Sequence, residues 1–461
     1  MKAPFASGWV ATKLMPQSMA APTDGFDRIP RSGVASAALG FRDCQGSPVA
    51  EHSGVSISRK IVVVGGGAAG FFGAIAAAEA DPRASVTILE KTRHVLAKVR
   101  ISGGGRCNVT HACFDPRELS QRYPRGGRAL IGPFTRFGPR ETIEWFHLRG
   151  VNLKTEADGR MFPVTDSSQS IIDCLMDSAK NAGIQIRLHT GLEAIKRQSG
   201  GGFSLKVSTG ETLPADRLLW AAGGCRAENH PLVPLGHTLV PPVPSLFTFH
   251  IDSPWLRELP GVAVEDVQVS VPGTALKQRG PLLVTHAGVS GPAILRLSAW
   301  GARELHDADY RFPLRIAWLP EEKSDSLLAE IQRRRETHGG QTVLRSRWNP
   351  LPARLWEQLV LHAGIASDTK WSRLAKTEGQ KLVTLLTATE LPVTGKSMNK
   401  EEFVTCGGIP LPEVDFKTLQ SRVVPGLFLA GESLDIDGVT GGFNFQAAWT
   451  TAWIAGQHMA R

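Results

Sequence analysis

Three glycines near residue 65 have the type and spacing that most clearly indicate chemistry in this chain. Gly65, Gly67 and Gly70 form a G-x-G-x-x-G pattern between a β-branched run at 61–64 and an alanine-rich stretch. The first glycine allows a tight turn, the second lets a pyrophosphate approach the backbone, and the third lets helix and strand pack closely. Glu90 follows Gly70 by 20 residues and ends the next strand, where a carboxylate can accept hydrogen bonds from both ribose hydroxyls. The pattern predicts a dinucleotide site at a helix N-terminus, where the dipole favours an anion.

Two later segments bear on which dinucleotide is bound. LLWAAGG at 218–224 and GLFLAGES at 426–433 are buried-strand patterns that end in small residues. Gly431 would let the chain approach a ribityl group, and Glu432 could bond one of its hydroxyls. The helix that begins at 441–444 would direct its positive end at the flavin N1–C2=O edge, which gains negative charge on reduction. A cofactor that needs both ends of the chain indicates FAD.

The elements that must position these residues alternate between strands and helices. Strands are predicted within GIQIRLHT, FSLKVST and ADRLLWAAGG, and helices at 141–150 and 168–182. From about 246 to 318 short strands with turn signals predict an antiparallel barrel or sandwich. From about 320 to 390 the pattern is helical, polar and basic, and after 402 strand–turn–helix returns. The fold class is therefore α/β.

Composition limits the function classes. The 461 residues carry a formal charge of +9, with local concentrations of arginine at 122–128 and 333–335. We find no Lys/Arg tract with interleaved aromatic residues, so nucleic acid is not the expected partner. The uncharged stretch at 61–78 is long enough for a membrane span but contains the glycine pattern, so we interpret it as a buried strand and helix.

The six cysteines indicate neither a redox pair nor a metal site. They lie apart in sequence, without a C-x-x-C pair or a Cys/His group at zinc-ligand spacing, and a reducing cytoplasm fits them. Residues 1–57 lack a convincing period and a continuous apolar run. We expect them to be disordered or a spurious N-terminal extension rather than a secretory signal.

Several segments together resemble a known family. They are VVVGGGAAG, ILEK, ISGGGRCN at 101–108, GRMFP at 159–163, LLWAAGG, THAGVSGPAIL at 285–295, VTCGGI at 404–409 and GLFLAGESLDIDGVTGGFNFQAAW at 426–449. In this order they resemble the bacterial YhiN/BaiN-like FAD/NAD(P)-binding flavoproteins, over roughly residues 58–461. SGGGRCN and GE-x-LD-x-x-G-x-x-GGFN-x-Q are the most specific of these motifs.

The resemblance implies a discontinuous, Rossmann-like FAD-binding domain with an inserted β-barrel and a small helical subdomain. The FAD-binding domain is then expected at 58–245 and 395–461. The insert is expected at 246–394, with the barrel at about 246–318 and the helical part at about 320–390. Residues 1–57 have no counterpart in the family pattern.

The resemblance also implies which residues hold FAD. Those for the ADP half are Gly65, Gly67, Ala68, Ala69, Gly70, Glu90 and Lys91. Those around the pyrophosphate and the flavin are Ser102, Gly103, Gly104, Gly105, Arg106, Cys107, Asn108, Ala222, Gly223 and Gly224, with Arg106 as a charge partner for phosphate. Those for the ribityl–isoalloxazine half are Gly431, Glu432, Gly442, Phe443 and Asn444.

No catalytic set is legible in the sequence. His286 and Arg160 are weak candidates that could face a substrate, beside the plainer alternatives of turn capping and a surface ion pair. Cys225 follows the AAGG turn, and without a nearby partner cysteine we interpret it as structural.

The function predicted is a cytoplasmic FAD-dependent oxidoreductase that uses NAD(P)H as a transient electron donor to reduce a small organic substrate. No second G-x-G-x-x-G pattern marks a separate nicotinamide domain. The alternatives are an FAD-dependent amine oxidase that uses oxygen and, from a different class, an RNA-associated flavoprotein whose basic helical insert clamps nucleic acid.

Overall fold

The computed structural model describes residues 58–224, 230–397 and 404–461. The expected extension at 1–57 and Cys225 lie outside these ranges. The strands, in chain order, are β1 (Lys60–Val64), β2 (Ser85–Leu89), β3 (Thr110–His111), β4 (Leu153–Thr155), β5 (Arg160–Pro163), β6 (Gln185–Arg187), β7 (Leu192–Arg197), β8 (Phe203–Val207), β9 (Thr212–Ala215), β10 (Arg217–Trp220), β11 (Val240–Ser245), β12 (Thr248–Ile251), β13 (Ala263–Ser270), β14 (Lys277–Thr285), β15 (Gly288–Ser290), β16 (Phe312–Ala317), β17 (Thr389–Ser397), β18 (Val404–Gly408), β19 (Val414–Asp415), β20 (Gln420–Ser421) and β21 (Leu427–Leu429). The helices are α1 (Ala68–Ala80), α2 (Ala97–Gly105), α3 (Pro116–Ser120), α4 (Gly127–Phe134), α5 (Pro139–His147), α6 (Ser168–Asn181), α7 (Pro292–Trp300), α8 (Ala302–Asp307), α9 (Ser324–Thr337), α10 (Ala353–His362), α11 (Lys376–Ala388) and α12 (Phe443–Met459).

A sheet of seven strands forms the centre of the first domain. Its order is β19-β20-β21-β10-β1-β2-β6, and the run from β21 to β6 is parallel. The four residues after Lys60 in β1 are all buried, which is why the sequence shows a continuous apolar run there rather than alternation. The two ends of the described chain meet in this sheet, because β21 pairs with β10 and β10 pairs with β1.

Helices α1 and α12 pack against each other beside the sheet. A Cβ on Gly456 would lie 2.6 Å from the carbonyl oxygen of Gly73, so the two backbones approach as closely as glycine allows. This contact joins the helix of the glycine pattern to the C-terminal helix. The predicted helices at 141–150 and 168–182 are present as α5 and α6.

The second domain is a closed barrel with the strand order β12-β15-β14-β13-β16-β17. Helices α9, α10 and α11 lie between β16 and β17 in the chain and pack on a core that they share with the barrel. The barrel predicted at 246–318 is therefore too short, because its sixth strand follows the helices and runs to Ser397, past the expected limit of 394. No local sequence pattern identified β17 as a strand of the barrel, because this strand is defined by its pairing with β12 and β16. The other domain limits stay predictions.

Two strands lead into and out of the barrel. β11 and β18 pair in antiparallel register, with Ser245 opposite Val404. Within the described ranges, no helix combines the length and the apolar composition that crossing a bilayer needs.

Candidate cofactor and active site

The carboxyl ends of four parallel strands meet at one edge of the seven-stranded sheet. Val64 pairs with Leu89 and Trp220, and Trp220 pairs with Leu429, so the segments after these residues lie side by side. They border a cavity of about 620 Å³. Ligands of open α/β sheets bind at this edge, outside the carboxyl ends of the strands.

The glycine pattern forms the turn between β1 and α1. Gly65 has φ +110°, and a Cβ there would lie 2.4 Å from the carbonyl oxygen of Ala221. A Cβ on Gly70 would lie 1.8 Å from the carbonyl oxygen of Gly65, so both positions need glycine for packing. A Cβ on Gly67 would meet no protein atom within 4 Å, and Gly67 lines the cavity. The space beside Gly67 is thus left for a ligand that approaches the backbone.

The N-terminus of α1 opens on this cavity without a side-chain cap. Gly67 is its N-cap, and the first turn contains no acidic residue. Its N–H groups and its dipole are therefore available to an anion such as a pyrophosphate.

Glu90 is held at the end of β2 by two backbone donors. The Gly66 N–H donates to its Oε2 at 2.9 Å, and the Thr92 N–H donates to its Oε1 at 2.8 Å. The carboxylate lines the cavity in a fixed orientation and keeps acceptor capacity for further donors. This placement fits a ribose whose hydroxyls lie beside the glycine turn.

The second glycine-rich segment borders the same cavity. Helix α2 leaves helical geometry at Ser102, and Gly103 and Gly104 have φ values of +57° and +68°. A Cβ on Gly104 would meet nothing within 4 Å. The segment therefore presents backbone rather than side chains to the cavity.

The N-terminus of α12 closes another part of the cavity wall. Its N-cap is Gly442, with neither a side-chain cap nor an acidic residue in the first turn. In the amide orientation that matches its neighbours, Asn108 accepts from the Gly442 N–H at 3.0 Å. Asn444 accepts from the Gly438 N–H at 2.8 Å and donates to the Gly438 carbonyl oxygen at 2.9 Å. A second helix dipole is thus rigidly fixed at the cavity.

An ion pair joins two distant parts of the cavity wall. The Lys98 Nζ lies 2.5 Å from the Glu432 Oε2, and the two residues are 334 positions apart. Glu432 was expected at this site, whereas nothing in the sequence singled out Lys98. Only the fold brings them together.

The cavity collects most of the predicted cofactor residues. Those that line it are Gly65, Gly67, Ala68, Ala69, Glu90, Ser102, Gly103, Gly104, Asn108, Ala222, Gly223, Gly224, Gly431, Glu432, Gly442 and Asn444. Residues not predicted also line it, among them three at the junction with the barrel, Leu246, Leu295 and Val404. Leu295 and Val404 lie in the quoted segments THAGVSGPAIL and VTCGGI, so the resemblance could have indicated them, whereas the apolar Leu246 belongs to no motif.

Six predicted residues do not line the cavity. They are Gly70, Lys91, Gly105, Arg106, Cys107 and Phe443. Arg106 is the clearest correction, because its guanidinium donates to Glu156 at 2.7 Å and lies 4.0 Å from the centre of the Phe162 ring. The hydrogen bond to Glu156 raises the pKa of Arg106. Its charge is thus used within the protein rather than on a phosphate.

Cys107 and Phe443 have packing roles. Cys107 is fully buried, and burial raises the pKa of its thiol to about 12. The Phe443 ring stacks on the His111 ring with centroids 4.7 Å apart. Neither presents a reactive group to the cavity.

The two catalytic candidates, His286 and Arg160, differ in whether they line the cavity. His286 is exposed, in the turn between β14 and β15, and does not line the cavity. The structure therefore removes the reason for treating it as a catalytic candidate. Arg160 does line the cavity, and its guanidinium pairs with Glu156 and Asp158.

A parallel sheet completed by both ends of the described chain, an inserted barrel and a cavity between two helix N-termini define the class of FAD-dependent oxidoreductases. Family models place the chain within that class. The model described as HI0933-like protein Rossmann domain matches residues 59–238 and 357–458, and the model described as HI0933-like protein barrel and H2TH domain matches residues 243–404. The chain belongs to this HI0933-like family, which confirms the resemblance to the YhiN/BaiN-like flavoproteins.

Three relatives of the chain represent two different activities. A ribosomal RNA dihydrouridine synthase of Escherichia coli strain K12 is 30% identical over 410 residues, covering 86% of this chain and 97% of the relative. A 3-dehydro-bile acid delta(4,6)-reductase of Clostridium scindens is 28% identical over 411 residues, covering 87% and 99%. A ribosomal RNA dihydrouridine synthase of Haemophilus influenzae is 26% identical over 414 residues, covering 87% and 98%.

Proposed function

We propose that the protein binds FAD in this cavity and reduces a carbon–carbon double bond conjugated with a carbonyl group, with NAD(P)H as electron donor. The observation that carries the proposal is the cavity itself. It combines the open backbone at Gly67, the fixed carboxylate of Glu90 and two uncapped helix N-termini in one continuous wall.

Each part of the wall fits one part of FAD. The Gly65–Gly67 turn and the α1 N-terminus would hold the pyrophosphate, and Glu90 would accept from ribose hydroxyls. Glu432 would bond the ribityl chain, and the α12 N-terminus would stabilise negative charge at the pyrimidine edge of the ring. Bound flavin supplies the hydride chemistry, and the protein supplies orientation, electrostatics and the exclusion of water.

The relatives support the type of bond reduced. Dihydrouridine is uridine with its C5–C6 double bond saturated, and a delta(4,6)-reductase saturates double bonds of a 3-dehydro-bile acid. In both reactions the double bond is conjugated with a carbonyl. A hydride added at the far carbon and a proton added at the near carbon complete the reduction.

A ribosomal RNA substrate is the second candidate, favoured by the names of the Escherichia coli and Haemophilus influenzae relatives. In the alternative that the sequence left open, the basic helices of the insert would clamp the RNA. In α9, however, Arg333 and Arg334 pair with Glu330, and the Arg335 guanidinium donates to the Leu374 carbonyl oxygen. These arginines are engaged within the helical part, so an RNA site would have to use other cations.

The test of the proposal is an anaerobic absorbance spectrum of the purified protein with NADH and with NADPH. A yellow protein that one of them bleaches, and that a conjugated enone or a uridine oligonucleotide then reoxidises, is the expected result. Bleaching by neither nucleotide would contradict the NAD(P)H part and favour an oxidase. A colourless protein that cannot be reconstituted with FAD would overturn the proposal.

A matched pair of glycine variants tests the site assignment. Gly67→Val is expected to abolish FAD binding, because the side chain would fill the space left for the pyrophosphate. Gly132→Val is the control, since a Cβ there also meets nothing within 4 Å but the residue lies in α4, away from the cavity wall. Stoichiometric FAD in the Gly67 variant would show that the pattern is misassigned.

A further inference from the structure

Lys98 follows a segment that packs on the glycine turn. The Leu96 N–H donates to the Gly66 carbonyl oxygen at 2.8 Å, and a Cβ on Gly66 would lie 2.8 Å from Cγ1 of Val95. Lys98 comes two residues later, in the first turn of α2, and lines the cavity. Its side chain therefore leaves the backbone close to the turn that carries Gly67 and the space for a pyrophosphate.

Glu432 reaches the same part of the cavity from the C-terminal part of the chain. A Cβ on Gly431 would lie 2.9 Å from the Cβ of Ala69, which belongs to the first turn of α1. A Cβ on Gly223 would lie 3.7 Å from the Glu432 Oε2. Glu432 is therefore close both to the N-terminus of α1 and to the segment that follows β10.

The ion pair brings the ammonium group of Lys98 to this position. Its Nζ lies 2.5 Å from the Glu432 Oε2, and the side chain of the glutamate is 18% exposed against 52% for the lysine. Because both residues line the cavity from different parts of the chain, the charged atoms lie at the cavity wall near the N-terminus of α1. An ammonium group has three N–H donors, so it can bind a carboxylate and a second anion at once.

Lysine and arginine side chains are scarce in the cavity wall. Among the described residues, Lys98 is the only lysine and Arg160 the only arginine that line it. The Arg160 guanidinium already pairs with two carboxylates from the turn between β4 and β5. Glu90 and Glu432 place two further carboxylates in the wall, and a dinucleotide pyrophosphate would add a negative charge on each phosphate. Because like charges repel, such a ligand needs a cation near the N-terminus of α1.

We propose that Lys98 binds the pyrophosphate of FAD while it stays paired with Glu432, so that one ammonium group neutralises both the cofactor and the carboxylate expected at the ribityl chain. This role of Lys98 rests on the proposed function, which places FAD in this cavity. The role of phosphate partner thus passes from Arg106, which the sequence suggested, to a residue that no motif singled out. FAD would then be held jointly by the N-terminal and the C-terminal parts of the described chain.

The experiment measures the dissociation constant of FAD for the purified full-length protein, from the rise in FAD fluorescence as the flavin-saturated protein is diluted. Lys98→Gln removes the charge and should raise the dissociation constant about tenfold, because a charge-assisted hydrogen bond to phosphate is lost. Lys98→Arg keeps the charge and should lie within about threefold of the unsubstituted protein. The Lys98 side chain is half exposed, so we expect both variants to fold, and urea midpoints check this.

A plainer role for Lys98 is to hold the Glu432 carboxylate in place, and a double-mutant cycle with Glu432→Gln separates the two roles. If Lys98 binds phosphate, Lys98→Gln should weaken FAD binding by a similar factor in the Glu432→Gln protein. If Lys98 acts only through the carboxylate, it should have no further effect there. Lys91→Gln is the matched control and should leave FAD affinity unchanged, because Lys91 is an exposed lysine after β2 that does not line the cavity.

The outcomes separate this role from the proposed function. An unchanged dissociation constant in Lys98→Gln, or an effect that disappears in the Glu432→Gln protein, overturns the phosphate role even if the flavin is bound and reduced as proposed. An effect in both proteins that Lys98→Arg avoids supports the phosphate role, even if neither NADH nor NADPH bleaches the flavin. If the unsubstituted protein binds no FAD, the phosphate role and the proposed function are both overturned.

Discussion

The arginines at 122–128 and those of α9 differ in where their partners lie. Arg125 pairs with Asp437, 312 residues away, and Asp437 also accepts from the Ser245 hydroxyl at 2.8 Å. In α9, Arg333 and Arg334 share Glu330, three and four residues before them in the same helix.

The burial of the two groups differs as well. The carboxylates differ, because the Asp437 side chain is 0% exposed and that of Glu330 is 23% exposed, whereas Arg334 is as covered as Arg125 (17% and 18%) and Arg333 is 55% exposed. Long-range, buried pairing fixes the loop that leads to the α12 N-terminus, and local pairing covers a helix surface. An arginine-rich stretch can therefore either fix a loop beside the cavity or only cover the surface of its own helix. Which of the two it does depends on how far along the chain its carboxylate partners lie.

The largest effect is expected for Asp437→Ala. The change leaves the Arg125 guanidinium largely buried without its carboxylate, and breaking such a pair costs about 3–5 kcal/mol. FAD affinity should fall as well, because the loop that begins at Asp437 carries the cavity residues at 439–442. Urea unfolding and flavin content measure the two effects. If the free energy of unfolding falls by less than about 1 kcal/mol, the Arg125–Asp437 pair contributes no more than an exposed ion pair.

A smaller effect is expected for Arg334→Ala in α9. Its side chain is 17% exposed, donates to the Ser346 carbonyl oxygen at 2.7 Å and lies 4.6 Å from the centre of the Trp348 ring. Losing these contacts should cost about 1–2 kcal/mol in urea unfolding. FAD content should match the unsubstituted protein. Loss of flavin in this variant would show that α9 and the cavity are coupled and would weaken the comparison.

The ion pairs that Glu330 forms in α9 lead us to expect that the free energy of unfolding depends on pH in the acidic range. The hydrogen bond from Arg333, and then that from Arg334, lowers the pKa of Glu330 from 4.5 to about 2. The folded-state pKa is depressed, so the stabilisation is complete above pH 4.5 and is lost as the pH falls towards 2. Because the group is near the surface, we expect about 1 kcal/mol. Urea midpoints between pH 5 and 2 should fall less steeply in Glu330→Gln, and equal slopes would contradict the prediction.

The smallest effect is expected for Arg333→Ala. The side chain is mostly exposed, and removing it leaves Glu330 paired with Arg334. Its free energy of unfolding should fall by less than about 0.5 kcal/mol, because Arg334 still pairs with Glu330. RNA retention at about 50 mM salt should also be unchanged, since this arginine is engaged within its helix. A clear loss of RNA binding would support the alternative hypothesis from the sequence, in which the helical insert clamps RNA.

The sequence predicted the parts of the fold that depend on local patterns. The glycine pattern with Glu90 located one wall of the cavity, and the C-terminal GGFN segment located another, because turns and helix N-termini need particular residues at particular spacings. The pairing in α9 is also legible, since Glu330 and Arg334 are one helical turn apart.

The parts that depend on distant partners were predicted poorly. The barrel was expected to end before the helices, yet it closes with β17 after them, because a strand at a sheet edge is defined by its neighbours. Arg106 was expected on a phosphate, yet it pairs with Glu156. His286 was a weak candidate to face a substrate, beside the alternative of a turn role, and it lies in an exposed turn.

By itself the sequence predicted a dinucleotide site at a strand–turn–helix unit that is completed by the C-terminal segments. That information is local, because backbone turns and uncapped helix ends depend on residues a few positions apart. Only the tertiary structure decided which charges are neutralised by distant partners. Whether an arginine is neutralised can depend on a carboxylate hundreds of residues away, as Arg125 and Asp437 show, whereas Arg333 pairs within its own helix.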